Sequence, residues 1–342
     1  MKQFATHTNK ATIDPSASNS LSVLTLAELL ALQNDPLDWL LDDLIPGGGL
    51  AILAGMPSSG KTFLALDLAL AVTTCGRAWG RELTAASPAL YVDLENAPQM
   101  LSERMRALLN GRNLTPAEKL HFILGQPLSL TDPADVAQLG TAIAATEARL
   151  IVFDSLVRFM GGADENDAGN VAQAMGNLRS LANAHACAVL LIHHLRKSTG
   201  VTAGAALESV RGSGDIVAAM DTVIIVDGRG KVTTAKSRWT QTPAPFGFAI
   251  TSDGEATQIV IGEATETKKR LVACVMETTQ TILDRSASSL TKQEIASRLE
   301  TEGVVASDRT LDTALANLQQ AGHLTVGKKG RKNTYALAKV LS

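Results

Sequence analysis

The sequence predicts an α/β fold: a mostly parallel central sheet flanked by helices, followed by a small, separate C-terminal domain. Three observations predict it. Between residues 50 and 193, short apolar runs alternate with helical stretches of ten or more residues, the pattern of parallel strands joined by crossover helices. One of the junctions, residues 55–62, is a glycine-bearing loop set between an apolar run and a helical run. Beyond about Gly262 the pattern becomes helical, and residues 265–342 carry 12 Lys and Arg against 8 Asp and Glu, where the preceding 264 residues carry 19 against 26.

Bulk properties set the frame. The 342 residues exceed one average domain, and a hydrophobic fraction of 45% supplies a large core. The net charge of −3 argues for no polyanionic partner of the whole chain, so the basic C-terminal segment is the part that suggests nucleic acid. Cys75, Cys187 and Cys274 stand alone without CxxC spacing, which points away from disulfides and zinc and towards a reducing cytoplasm. No apolar run approaches the ~18 residues of a membrane span. Residues 1–20 are rich in Thr, Ser and Asn without an apolar stretch, and read as a disordered tail, not a signal peptide.

The elements follow in order. A helical lead-in, Leu24–Gln33, is followed by Pro46-Gly47-Gly48-Gly49, which marks a turn before the first strand at 50–54. Next come a helix over 61–75, a strand over 89–94, a helix over 98–110 and a strand over 121–124. The pattern continues with a helix over 133–147, a strand over 149–153, a helix over 166–185 and a strand over 187–193. A Gly, Ala and Ser-rich loop, 196–214, precedes a strand over 221–226, and two hairpin-like strands follow at 231–237 and 246–251. The α/β core is thus expected over 21–262 and the last domain over 265–342.

Gly55-Met56-Pro57-Ser58-Ser59-Gly60-Lys61-Thr62 matches GxxxxGK[ST], and Phe63 opens the helix behind it. The glycines let successive N–H groups face phosphates, and the helix N-terminus adds its positive end. Lys61 is expected to neutralise the β- and γ-phosphates of ATP, and the Thr62 hydroxyl to bind Mg²⁺. A second apolar run, Leu150-Ile151-Val152-Phe153, ends in Asp154, the expected holder of the Mg²⁺ water shell one strand from the loop. Ser155 follows where many such ATPases carry a water-activating Glu, so the base is sought elsewhere. The strand from Ala89 ends in Glu95, whose carboxylate can orient water at the γ-phosphate. Asp93 competes, since strand alternation puts both acids on one face. His193 and His194 end a later strand on opposite faces, which argues against joint metal binding and leaves a γ-phosphate sensor as the alternative.

These motifs together resemble the RecA-like P-loop ATPases, and within them the RepA-type plasmid helicases and the ATPase domain of DnaB-type hexameric helicases. The resemblance covers about residues 35–255, from Pro36-Leu37-Asp38-Trp39 through the K-x-R motif Lys236-Ser237-Arg238. It implies a RecA-like core, ATP and Mg²⁺ as ligands, and assembly into a homo-oligomer, a hexamer. His194 takes the sensor position. Lys236 and Arg238 would reach the nucleotide of the neighbouring subunit. Arg211, Gly212 and Gly214 would contact single-stranded DNA in the ring channel. An extra C-terminal domain is not part of the RepA-type pattern.

That domain resembles a winged helix. Leu271–Leu283 reads as its first helix, and Thr291 with Glu294 forms a capping box before the second. Ser307 precedes a recognition-helix candidate, Arg309–Ala321. Lys328, Lys329, Arg331 and Lys332 sit on the turn that would form the wing and would face duplex phosphates; a protein partner is the alternative. The implied activity is that of an ATP-driven, ring-shaped DNA motor or helicase in the cytoplasm without a membrane contact. An ATP-dependent DNA-binding regulator that does not unwind is the second reading.

Overall fold

The structure is a computed structural model, and it describes residues 23–31, 38–195, 210 and 214–338, except 84, 117, 163–166, 229, 254, 263, 287, 303, 305, 307, 330 and 331. The predicted tail, Arg211, Gly212, Ser307 and Arg331 lie outside the described residues. Residues 1–37 and 38–342 form two separate units. The first contains one short helix, α1 (Leu26–Ala31).

The second unit opens with a small hairpin of β1 (Trp39–Leu41) and β2 (Ile45–Pro46). Then follow β3 (Leu50–Gly55), α2 (Lys61–Thr74), a two-stranded turn of β4 (Arg77–Ala78) and β5 (Arg81–Glu82), β6 (Ala89–Asp93) and α3 (Pro98–Arg112). Next are β7 (Leu120–Leu124), α4 (Pro133–Thr146), β8 (Leu150–Asp154), α5 (Ala168–His185), β9 (Ala188–His194) and α6 (Gly214–Ala219). The sheet is completed by β10 (Thr222–Val226), β11 (Lys231–Ser237), β12 (Phe246–Asp253) and β13 (Ala256–Gly262).

The nine-stranded sheet has the order β13-β12-β11-β10-β3-β9-β8-β6-β7, and its strands from β10 to β7 run parallel. β3, β6, β8 and β10 are buried along their whole length because helices cover both faces. One face packs on α2, apolar nearly all round, and on Leu101 and Leu108 of α3. The other packs on α4, α5 and α6 through Leu139, Leu178 and Ile216. Asp132 and Asp167 cap α4 and α5, accepting from the first free amides of each helix.

Two expectations are corrected by this order. β9 lies between β3 and β8, so Asp154 stands two strands from the phosphate loop, not one. A third antiparallel strand, β13, follows β12, where the sequence reading ended the sheet. β13 lies under α3 so closely that a Cβ on Gly111 would come within 1.9 Å of the Thr257 carbonyl oxygen.

The C-terminal region comprises α7 (Ala264–Asp284), β14 (Leu290–Thr291), α8 (Lys292–Thr301), α9 (Asp308–Gln320), β15 (Leu324–Lys329) and β16 (Lys332–Leu337). Its three strands pair in the order β14-β16-β15, and Ile295, Leu299, Leu311, Leu315 and Leu318 form the core. Thr291 and Glu294 make both bonds of a capping box. α7 begins seven residues before the predicted start and packs on β12, with Ala249 of that strand inside the C-terminal core. The region is therefore seated on the sheet edge directly, without a free linker.

Candidate nucleotide site

The phosphate loop joins β3 to α2 at the carboxyl edge of the sheet. Gly60 takes a φ of 88°, in the left-handed region where a Cβ is disfavoured. At Gly55 a Cβ would meet the Val226 carbonyl oxygen and Ser59 Oγ at 2.6 Å, so the loop leaves no room for a side chain there. Lys61 is nearly buried, and its Nζ donates to the carbonyls of Gly55 (3.0 Å) and Met56 (2.8 Å). Burial pushes its ammonium down to about 8, against the pull of Asp154 and Glu95. A cleft of about 680 Å³ opens in front of the loop, lined by residues 57–63, Glu95, Asp154 and His194, among others.

Asp154 ends β8. One of its carboxylate oxygens accepts from Thr62 Oγ1 (2.8 Å) and from Tyr91 Oη (2.9 Å). Burial and the neighbouring Asp93 push its carboxyl up to about 6, while the Thr62 and Tyr91 hydrogen bonds hold it down. A hydroxyl and a carboxylate converging beside a phosphate loop are hard oxygen donors, and they fit Mg²⁺.

The two candidate bases separate cleanly. β6 ends at Asp93, so Glu95 stands on the following turn and not on the strand, and alternation does not apply to it. Asp93 is fully buried and accepts from the amides of Glu95 and Asn96 and from Asn96 Nδ2, each at 2.8 Å. Its oxygens hold the turn that presents Glu95. Glu95 reaches into the cleft, where Ser155 Oγ donates to it at 2.6 Å and His194 Nε2 lies 4.0 Å away. His194 lines the cleft, whereas His193 is buried in the sheet.

The structure puts Lys236 and Arg238 at the opposite edge. β11 runs antiparallel to β10, and Ser237 pairs with Thr222 while Val232 pairs with Val226, beside Gly55. The four residue steps from Val226 to Thr222 span about 13 Å. Arg238 Nη1 is 3.3 Å from Asp221 Oδ1, and Nη2 donates to the Ala218 carbonyl. Lys236 Nζ donates to the carbonyls of Val217 (2.7 Å) and Ala218 at the end of α6. Asp221 also accepts from Arg179 Nη1 (2.7 Å) and the Leu50 amide (2.8 Å). Trp239, next in the chain, is 54% exposed. Gly214 opens α6; Lys328, Lys329 and Lys332 lie on the β15–β16 hairpin, where Lys328 and Lys332 are exposed, far from the cleft in sequence.

The sequence reading missed Tyr91, Ser155 as a partner of Glu95, and Arg104. Arg104 lines the cleft, donates to Asn96 Oδ1 (3.3 Å) and lies over the Phe63 ring, 5.3 Å from its centre. The signal was present: Met100, Glu103, Arg104 and Ala107 recur at helical spacing on α3, a stripe that faces the cleft. Among the described residues, no group of three or more His, Cys, Asp or Glu is arranged to hold a metal, and no helix is long and apolar enough to cross a membrane.

A family model described as an AAA domain (AAA_25) matches residues 15–200. The chain belongs to this AAA domain family. Membership supports a P-loop ATPase, and the cleft is its candidate nucleotide site. The matched span contains the phosphate loop, Glu95, Asp154 and His194, and it stops before Lys236, Arg238 and the C-terminal region.

Proposed function

We propose that this AAA domain ATPase is a ring-forming DNA motor of the RecA-like, RepA and DnaB helicase type, in which ATP hydrolysis drives movement along a single strand. One observation carries the reading. His194 lies 4.0 Å from Glu95, and the chain leaves the site straight after it. Leu195 pairs with Val210 in an antiparallel bridge, so these two residues lie side by side next to the site. The candidate DNA-contacting residues Arg211 and Gly212 follow immediately. A change at the γ-phosphate felt by Glu95 and His194 thereby has a short path to the DNA loop.

The hydrolytic roles follow from the contacts. Lys61 Nζ, now on the Gly55 and Met56 carbonyls, turns to the β- and γ-phosphates, and the amides of residues 57–62 cradle them. Thr62 and Asp154 would hold Mg²⁺, Asp154 through its water shell, and the ion would supply positive charge beside the transferred phosphoryl group. Glu95, steadied by Ser155, takes the proton of the attacking water. Arg238 of one copy completes the site of the next, and its distance from its own phosphate loop fits that arrangement.

A second reading has its own support. The recognition-helix candidate α9 carries Asp308 and Asp312 beside Arg309 in its first turns, and both acids pair with Lys292, at 3.4 and 2.6 Å, so these turns offer duplex phosphates no net positive charge. The exposed lysines of the β15–β16 hairpin are then the duplex contact, as in a regulator that binds DNA without unwinding it.

ATPase rates with and without single-stranded DNA, with a strand-displacement assay, separate the two. The motor reading expects stimulation and unwinding; duplex binding with neither overturns it. Mixing inactive Lys61→Ala and Arg238→Ala proteins restores activity if Arg238 acts across subunits. With subunit exchange verified, no recovery at any ratio removes the trans role.

A further inference from the structure

We propose that α8 of the C-terminal region is a removable wall of the nucleotide site, and that its Glu300 competes with ATP phosphates for the positive field of the phosphate loop. The cleft in front of Lys61 is closed on one side by Ser297, Glu300, Thr301 and Glu302. These residues lie more than 230 positions after the loop, and no matched family segment includes them. Contact is direct: Ser58 Oγ donates to Glu300 Oε1 at 3.3 Å.

The polarity of the elements gives the inference its sign. α2 begins at Lys61, so its positive end faces the cleft together with the loop amides. α8 ends at Thr301, so what it brings to the same cleft is its negative end and the carboxylate of Glu300. Glu302 is partly matched by Arg285 at 3.4 Å, whereas the partner found for Glu300 is the neutral Ser58 hydroxyl. Docked α8 thus supplies negative charge where ATP would bring its own. Phosphates entering the loop meet a like charge and displace the helix, and in the absence of nucleotide the helix returns. Ile295 and Leu299 tie α8 into the C-terminal core, so α8 leaves the cleft together with that core, which turns about the seat of α7 on β12.

The inference rests on the ATPase reading only in that the cleft takes Mg-ATP. Full-length wild type, Glu300→Gln and Glu300→Lys are titrated with a fluorescent, non-hydrolysable ATP analogue at low and high salt. Glu300 is exposed, so neither substitution disturbs the core. The Kd is expected to fall about three- to tenfold in Glu300→Gln and further in Glu300→Lys, with the gap closing at high salt. Amide exchange over 292–302 is expected to speed up when wild type is saturated with the analogue, and to be fast in Glu300→Lys without it. Equal affinities in all three proteins overturn the competition. Slower exchange with nucleotide overturns it too, since α8 would then close on the ligand. If no protein binds the analogue at all, the ATPase reading itself fails.

Discussion

The two ends of the central sheet treat buried charge in opposite ways. At the carboxyl edge Lys61 and Asp154 are enclosed, and burial drives the lysine down to about 8 and the carboxyl up to about 6. At the amino edge Asp221 is equally enclosed, yet two arginines and a backbone amide surround its carboxylate. Enclosed charge whose hydrogen-bond partners are all neutral costs stability and persists where a ligand supplies the opposite charge. Enclosed charge with its partners holds elements in register. The first end is shaped to receive something, and the second to tie β3, α5 and β11 together.

Substitutions test that contrast, and the largest effect lies at the receiving end. Lys61→Ala should abolish hydrolysis and weaken nucleotide binding, while the folded protein persists in circular dichroism. Wild-type turnover in this variant would take the phosphate loop out of the mechanism. Glu95→Gln should keep ATP binding and lose hydrolysis by about 10²–10⁴-fold. Asp93→Asn should instead loosen the Glu95 turn and lower stability; if it alone loses turnover with stability intact, the two acids have exchanged roles.

At the holding end, Asp221→Asn should lower unfolding free energy by about 2–4 kcal/mol in urea titrations, with ATP affinity unchanged. A variant that stays stable but loses turnover would mean that Asp221 serves to position Arg238 and not to hold the elements together, and the contrast would collapse. The smallest effect is in pH. Folded Asp154 holds its proton up to about pH 6 against an ordinary 3.8, so ionising it across that interval costs stability, and the cost stands in full above it. Asp154→Asn escapes that cost. Its stability relative to wild type should rise by at most about 3 kcal/mol between pH 4 and pH 7. A difference that is flat with pH would mean that burial leaves this carboxyl unperturbed.

Local features were legible in the sequence, and long-range ones were not. The parallel strands β3, β6, β7, β8, β9 and β10 announced themselves as apolar runs, and the phosphate loop as a motif with the required strand and helix around it. The Asp154 strand end was readable for the same reason. Strand order was not, because nothing in the run ending at Asp154 says that β9 inserts beside β3. Alternation misplaced Glu95, since the strand stops at Asp93 once that side chain folds back on two amides. β13 escaped because its residues are half exposed and alternate weakly. The approach of α8 to Ser58 joins residues 242 positions apart, and no local pattern encodes it.

The indoles of Trp79 and Trp239 mark two different environments. Trp79 is enclosed and its Nε1 donates to the Leu64 carbonyl, whereas Trp239 stands half in water beside Arg238. With Trp39 half-buried on β1 between these extremes, the intrinsic fluorescence of the protein has a shielded component from Trp79 and one from Trp239 that a dissolved quencher reaches most readily. The amino edge of the sheet carries its own optical label, and anything that covers that edge will dim the quencher's access without a dye being attached.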